Sequence, residues 1–203
     1  MFVKICGITR EADAEAAVAS GASAIGFIFW KKSPRYIEPE RARAIVKALP
    51  LFVTPVGVFV DETADHMNAV ADTVGLGAVQ LHGDEHAALM DGITRPVVKA
   101  LGRVDADAAR IWPERVLLLL DADDRVRCGG TGATADWDAA TTLAQSRKIL
   151  LAGGLNPANV GEAVTRVRPF GIDVSSGVED APGIKNPERI RELFEALRVI
   201  SRS

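Results

Sequence analysis

The sequence predicts an α/β fold, a (β/α)8 barrel of the TIM type, as a single domain with short loops over residues 1–203. Three observations predict it. Eight short apolar runs recur along the chain, most of them continuously apolar rather than alternating. Strands buried on both faces of a parallel sheet read this way. Amphipathic stretches separate the runs, and eight alternations leave about 25 residues per unit, enough for a strand, a turn and a short helix. An open doubly wound sheet is the alternative that the same pattern allows.

The elements follow in order. The first run is Phe2–Cys6, and Arg10–Ser20 after it carries Ala and Val at helical spacing with acids at Glu11, Asp13 and Glu15. The second run is Ala24–Phe29. Pro39–Leu49 then starts with a proline suited to a first helical turn and stops at Pro50. Runs three to six are Val53–Val60, Ala78–Leu81, Val97–Ala100 and Val116–Leu120. Ile149–Ala152 and Gly171–Val174 complete the eight. Asn186-Pro187-Glu188 reads as a cap and a first-turn proline, and Ile190, Leu193, Phe194 and Leu197 then recur at three- and four-residue spacing. No linker, low-complexity segment or composition shift marks a second domain.

Composition excludes several classes. The chain is 48% hydrophobic and 25% charged, with a net charge of −3, so no nucleic-acid partner is expected. Cys6 and Cys128 are too few for a disulfide scaffold. The longest apolar run, Ala24–Trp30, is far short of the ~20 residues that cross a bilayer. The N-terminal stretch reaches its first charge at Lys4 and has no secretory apolar core. A cytoplasmic setting without membrane association is expected.

In such a barrel the chemistry sits at the carboxyl ends of the strands. Those places hold Cys6-Gly7, the Ser33–Tyr36 loop with Arg35, Asp61, His82-Gly83, Gly102-Arg103, Asp121, Gly153-Gly154 and Ser175-Ser176-Gly177. Gly153-Gly154 follows the seventh run and Ser175-Ser176-Gly177 the eighth, where barrels often bind phosphate. Glycines admit a ligand close to the backbone, and free N–H groups favour an anion. Each could equally be a plain tight turn; the pair at those ordinal positions favours phosphate.

Gly129-Gly130-Thr131-Gly132 invites a dinucleotide reading, but it lies nine residues past the sixth run and no acid follows at the expected distance. Cys6 is either a buried core cysteine or a base or nucleophile. Asp121 directly abuts five apolar residues, as an acid in a cleft would, although Asp61 and Asp173 occupy similar places. His82 and His86 are four apart, a metal-ligand spacing on a helix, but Gly83 makes a helix over both doubtful. No metal is expected. Arg35 is a solvated loop arginine or a fork for a carboxylate or phosphate.

Taken together, these residues resemble the phosphoribosylanthranilate isomerase family. The resemblance lies in Val3–Thr9, in Gly26–Phe29 with Ser33–Tyr36, in Val56–Val60 and in Gln80–Glu85. It continues in Gly129–Gly132 with Asp136-Trp137, in Leu151–Leu155 and in Asp173–Glu179, all in family order. It implies a cofactor-free Amadori rearrangement on a (β/α)8 barrel in tryptophan biosynthesis. Asp121 matches the general acid and Cys6 the general base. Arg35 matches the residue that holds the anthranilate carboxylate. Gly153, Gly154, Ser175, Ser176 and Gly177 match the phosphate loops, while His82 and Asp173 match positions lining the pocket. A monomer or homodimer is implied, with a small phosphosugar–anthranilate adduct as its partner.

The chain departs from the family at Ala133 and Ala135, where Lys and Phe are common, and the variable stretch leaves Asp123 as a competitor to Asp121. Two other readings compete. A carbon–carbon synthase on a sugar phosphate wants strand-end lysine and glutamate, yet Lys4 and Lys99 lie inside runs and no glutamate closes one. A binding-only barrel would have no need of both Cys6 and Asp121 at strand ends.

Overall fold

The computed structural model describes residues 1–102, 106–121 and 137–200. Eight parallel strands close into a ring: β1 (Phe2–Cys6), β2 (Ala24–Ile28), β3 (Thr54–Phe59), β4 (Ala78–Leu81), β5 (Val97–Leu101), β6 (Leu117–Leu120), β7 (Ile149–Leu151) and β8 (Gly171–Val174). β1 closes the ring against β8, with Phe2 opposite Gly171 and Lys4 opposite Asp173. All eight apolar runs are therefore strands, and the closed ring rules out the open sheet.

The continuous apolarity has a simple cause. Successive residues of a strand point to opposite faces. Here one face meets helices and the other fills the ring. Val3, Ile5, Ile25, Phe27, Val79, Leu81, Leu118 and Leu120 join the large core cluster between ring and helices. Ala24, Val56 and Ala78 cluster inside with Phe2, and Val98, Ala100, Leu119, Leu150 and Ala152 form a second inner cluster. Fully burying one side chain such as Phe27 contributes about 1.5–3 kcal/mol.

The outer layer is α1 (Glu11–Ser20), α2 (Pro39–Ala48), α3 (Ala64–Val74), α4 (Ala106–Ile111), α5 (Trp137–Ala144), α6 (Val160–Val167) and α7 (Pro187–Ile200). α2 and α7 start at the expected prolines, and α7 buries Ile190, Leu193, Phe194 and Leu197 as their spacing predicts. Thr63 caps α3 by accepting from the His66 N–H.

Two elements depart from plain alternation. Between β4 and β5 there is only a 3₁₀ turn, Ala87–Gly92, ended by Ile93 and followed by Pro96. Gly92 packs close to α3, where an added Cβ would be 2.9 Å from the Ala64 Cβ. After β8 the chain forms a small antiparallel hairpin, β9 (Glu179–Ala181) and β10 (Ile184–Lys185), before α7. The hairpin is tied to the first unit of the barrel: Thr9 Oγ1 donates to the Gly183 carbonyl and the Lys185 N–H donates to Asp13.

Candidate active site at the carboxyl end of the barrel

Cys6, His82, Asp121 and Ser175 all stand at or one residue beyond the carboxyl ends of their strands. Backbone hydrogen bonds keep two of them in strand register: the His82 N–H donates to the Phe59 carbonyl at 2.8 Å and the Asp121 N–H to that of Leu101 at 3.1 Å.

Cys6 is buried on the inner face of β1, two residues beyond Lys4. Gly26 on β2 makes room for both: a Cβ there would be 2.7 Å from the Cys6 sulfur and 3.0 Å from Lys4 Cε. Lys4 Nζ donates to Asp173 Oδ1 at 2.9 Å, deep in the ring. Burial pushes the Cys6 thiol up, and the nearby Lys4 charge pulls it part of the way back. For Lys4, burial disfavours the charge, but Asp173 and the Cys6 sulfur outweigh it and the net shift is upward.

His82 Nε2 lies 3.5 Å from Asp121 Oδ2, with both side chains largely shielded. The Gln80 amide nitrogen is 2.8 Å from His82 Nδ1. With that amide donating, Nδ1 is the acceptor and the ring's N–H is at Nε2, facing Asp121. The Gln80 Oε1 is buried with no hydrogen-bond partner among the described residues.

The other strand-end acids are occupied elsewhere. Asp61 Oδ1 accepts from the Asp84 N–H at 2.8 Å and so fastens the loop after β4. Glu85 accepts from the Asp61 and Gly83 N–H groups and from Lys99 at 2.6 Å, a network that holds its carboxyl below the ordinary range despite burial. Asp173 is committed to Lys4.

On the other side of the mouth, Gly153 and Gly154 both have positive φ, at 81° and 65°. Their N–H groups make no hydrogen bond among the described residues. The Gly154 carbonyl accepts from the side chains of Asn156 and Asn159, which fixes the turn. Gly177 packs directly on the Leu155 carbonyl, so the loops after β7 and β8 touch at a point where only glycine fits. Ser175 Oγ is buried and lacks a partner among the described residues. These are the features an anion site needs, namely unpaired donors on a rigid glycine turn.

A sequence model of the family described as N-(5'phosphoribosyl)anthranilate (PRA) isomerase matches residues 3–196. The chain belongs to that family. It is an isomerase. The N-(5'-phosphoribosyl)anthranilate isomerase of Citrifermentans bemidjiense is 47% identical over 201 residues, which cover 98% of each chain. The crystal structure of the Thermus thermophilus phosphoribosyl anthranilate isomerase is similar with a TM-score of 0.90 at 39% identity, covering 98% of this chain and 100% of that one. A further solved isomerase of the family, in complex with reduced 1-(o-carboxyphenylamino)-1-deoxyribulose 5-phosphate, has a TM-score of 0.87 at 41% identity and covers 98% and 99%.

Cys6, His82, Asp121, Gly153 and Ser175 lie at or within two residues of the carboxyl ends of their strands, while Asp173 lies within β8. Arg35 differs from a free fork: its Nε and Nη2 lie on Glu179 at 2.7–3.1 Å. His82 and His86 do not share a helix face, because His86 has extended backbone before the 3₁₀ turn. Among the described residues no group of three His, Cys, Asp or Glu could hold a metal. Gly129–Gly132, Cys128, Ala133, Ala135 and Asp123 lie outside the described residues. Sequence reasoning missed Lys4, Gln80, Glu179 and Lys185 as parts of the site. The available signal was a charged or amide residue inside an apolar run, as in Lys4 and Gln80.

Proposed function

We propose that this member of the family converts N-(5'-phosphoribosyl)anthranilate to 1-(2-carboxyphenylamino)-1-deoxy-D-ribulose 5-phosphate in tryptophan biosynthesis, in the cytoplasm, as one catalytic domain over residues 1–203. The observation that carries the reading is the pairing of two unlike proton-transfer groups at one barrel mouth. Asp121 stands against His82, and Cys6 stands beside the buried Lys4–Asp173 pair.

Asp121 donates its proton to the ribose ring oxygen. The C1′–O bond breaks, and the nitrogen lone pair forms the C1′=N bond of an iminium. His82, presenting Nε2–H to Oδ2, stabilises the carboxylate left behind. Cys6 as thiolate removes the C2′ proton; those electrons form C1′=C2′, and the iminium pair returns to nitrogen. The enol then tautomerises to the C2′ ketone as C1′ takes a proton. The iminium acidifies C2′, so a thiolate is base enough; burial raises the Cys6 pKa overall, and Lys4 offsets part of that rise.

Gly153, Gly154, Ser175, Ser176 and Gly177 hold the 5′-phosphate, Arg35 takes the anthranilate carboxylate, and His82 and Asp173 line the pocket. No cofactor or metal takes part. Cys6→Ala and Asp121→Asn each lower kcat by about 10²–10⁴-fold, with the fold unchanged by circular dichroism. Loss of the substrate's anthranilate fluorescence follows turnover. Near-normal kcat in either variant sinks the role given to that residue.

A further inference from the structure

We infer that the β9–β10 hairpin sets the charge and the aim of Arg35: Glu179 fixes its side-on edge, and Lys185 keeps the cluster net positive so that the end-on edge can take a second carboxylate. This rests on the reading of Arg35 given above and deepens it.

The geometry begins at Gly7. Its φ is +75°, and a Cβ there would be 2.7 Å from Arg35 Cδ, so the arginine stem lies across the glycine next to Cys6. Glu179 then accepts from Nε at 2.9 Å and from Nη2 at 2.7 Å, a side-on fork. Nη1 makes no hydrogen bond among the described residues. The end-on edge, Nη1 with the second hydrogen of Nη2, is the part left for a ligand.

An arginine neutralised by a glutamate is a poor anion site, because the substrate carboxylate would meet a pair of zero net charge and a second carboxylate close behind it. Lys185 removes that difficulty. Its Nζ is buried and donates to Glu179 Oε1 at 2.7 Å and to the Ser175 carbonyl at 3.1 Å. Arg35, Glu179 and Lys185 together carry one positive charge. The Gly183 N–H also donates to Glu179 Oε1, so the hairpin turn holds the carboxylate from behind. Burial lowers the pKa of Lys185 and the Glu179 carboxylate opposes this; burial pushes the Glu179 carboxyl up, but Arg35 and Lys185 outweigh it and hold that carboxyl below its ordinary range. Glu179 and Lys185 are positioning residues.

The test measures binding, by calorimetry, of two stable ligands. One is the reduced carboxyphenylamino deoxyribulose 5-phosphate, and the other is its phenyl counterpart without the carboxylate. Lys185→Met brings the triad to zero net charge and should weaken the carboxylated ligand by roughly ten- to a hundredfold, leaving the phenyl ligand unchanged. Lys185→Gln keeps a donor to Glu179 and should fold even where the methionine variant does not, with the same selective loss. Lys185→Arg retains the preference. Lys185→Met/Glu179→Gln restores one positive charge and should recover most of it. Equal weakening of both ligands, or a double variant no better than the single, overturns the inference. Arg35→Ala separates the two claims: if it keeps the wild-type preference for the carboxylated ligand, the reading of Arg35 falls first. If it abolishes that preference while Lys185→Gln does not change it, only the charge-setting role falls.

Discussion

Lys4→Met removes the cation from the buried pair with Asp173, formed at 2.9 Å. Asp173 is 8% exposed, so water does not replace the lost partner. Breaking a buried ion pair from one side costs about 3–5 kcal/mol. A second route to the number gives the same range. The stranded carboxyl can escape by taking a proton, at about 1.36 kcal/mol for each pH unit above an ordinary carboxyl value near 3.9. That is about 4 kcal/mol at pH 7 and about 1.5 kcal/mol at pH 5. The assay is urea unfolding of both proteins at the two pH values. The variant should lose about 3–4 kcal/mol at pH 7, with more than half of the deficit gone at pH 5. Lys4→Met/Asp173→Asn should recover most of the loss, because no lone charge remains. Alkylation of Cys6 at mild alkaline pH should also slow in the single variant, since Lys4 is the main group drawing that thiol's pKa downward. A deficit under about 1 kcal/mol at pH 7, or one that is the same at both pH values, refutes the reasoning.

Other expectations follow from single contacts. Gly177→Ala drives a methyl into the Leu155 carbonyl and should destabilise by about 1–3 kcal/mol in thermal unfolding, with weaker phosphate-ligand binding. A variant as stable as the parent contradicts the packing argument. Ser175→Ala removes a buried hydroxyl that has no partner among the described residues, so stability should hold or rise by about 1 kcal/mol while phosphate affinity falls. A clear loss of stability speaks against the assignment. Glu85 has its carboxyl held below the ordinary glutamate range, so its stabilising effect is present above that range and is lost as pH falls through the lowered value. Glu85→Gln should be less stable at neutral pH, and the gap in urea midpoint should close in acid; a constant gap from pH 6 to pH 3 argues otherwise.

The barrel was legible because both faces of its strands are apolar, which makes runs such as Leu117–Leu120 stand out against polar helices. The strand ends read from the sequence put Cys6, His82 and Asp121 at or one residue past the carboxyl ends of their strands, and the structure has them there. Sequence reading fails where the partner is distant or the signal is ordinary. Arg35 and Glu179 are 144 residues apart, and nothing local to either announces the other. The hairpin Glu179–Lys185 reads as a polar turn, because its anchors, Asp13 and Thr9, are on another unit. Lys4 reads only as a charge inside an apolar run. Its counter-ion becomes visible only when β1 is laid beside β8. The 3₁₀ turn over Ala87–Gly92 has too few residues to show a helical period, so spacing does not announce it.

The seam between β1 and β8 joins the start of the chain to a strand that begins at Gly171. On a ribosome, β1 with Cys6 is made seven strands before β8 brings Asp173 to Lys4. Until then β1 has an open edge, and Lys4 stays hydrated because burying it alone is too costly. The long-range seam raises contact order and makes closure a late event in folding. Thiol reactivity at Cys6 is therefore a clock for closure. In a refolding experiment its rate constant should change when the last strand docks, after the helices have already formed.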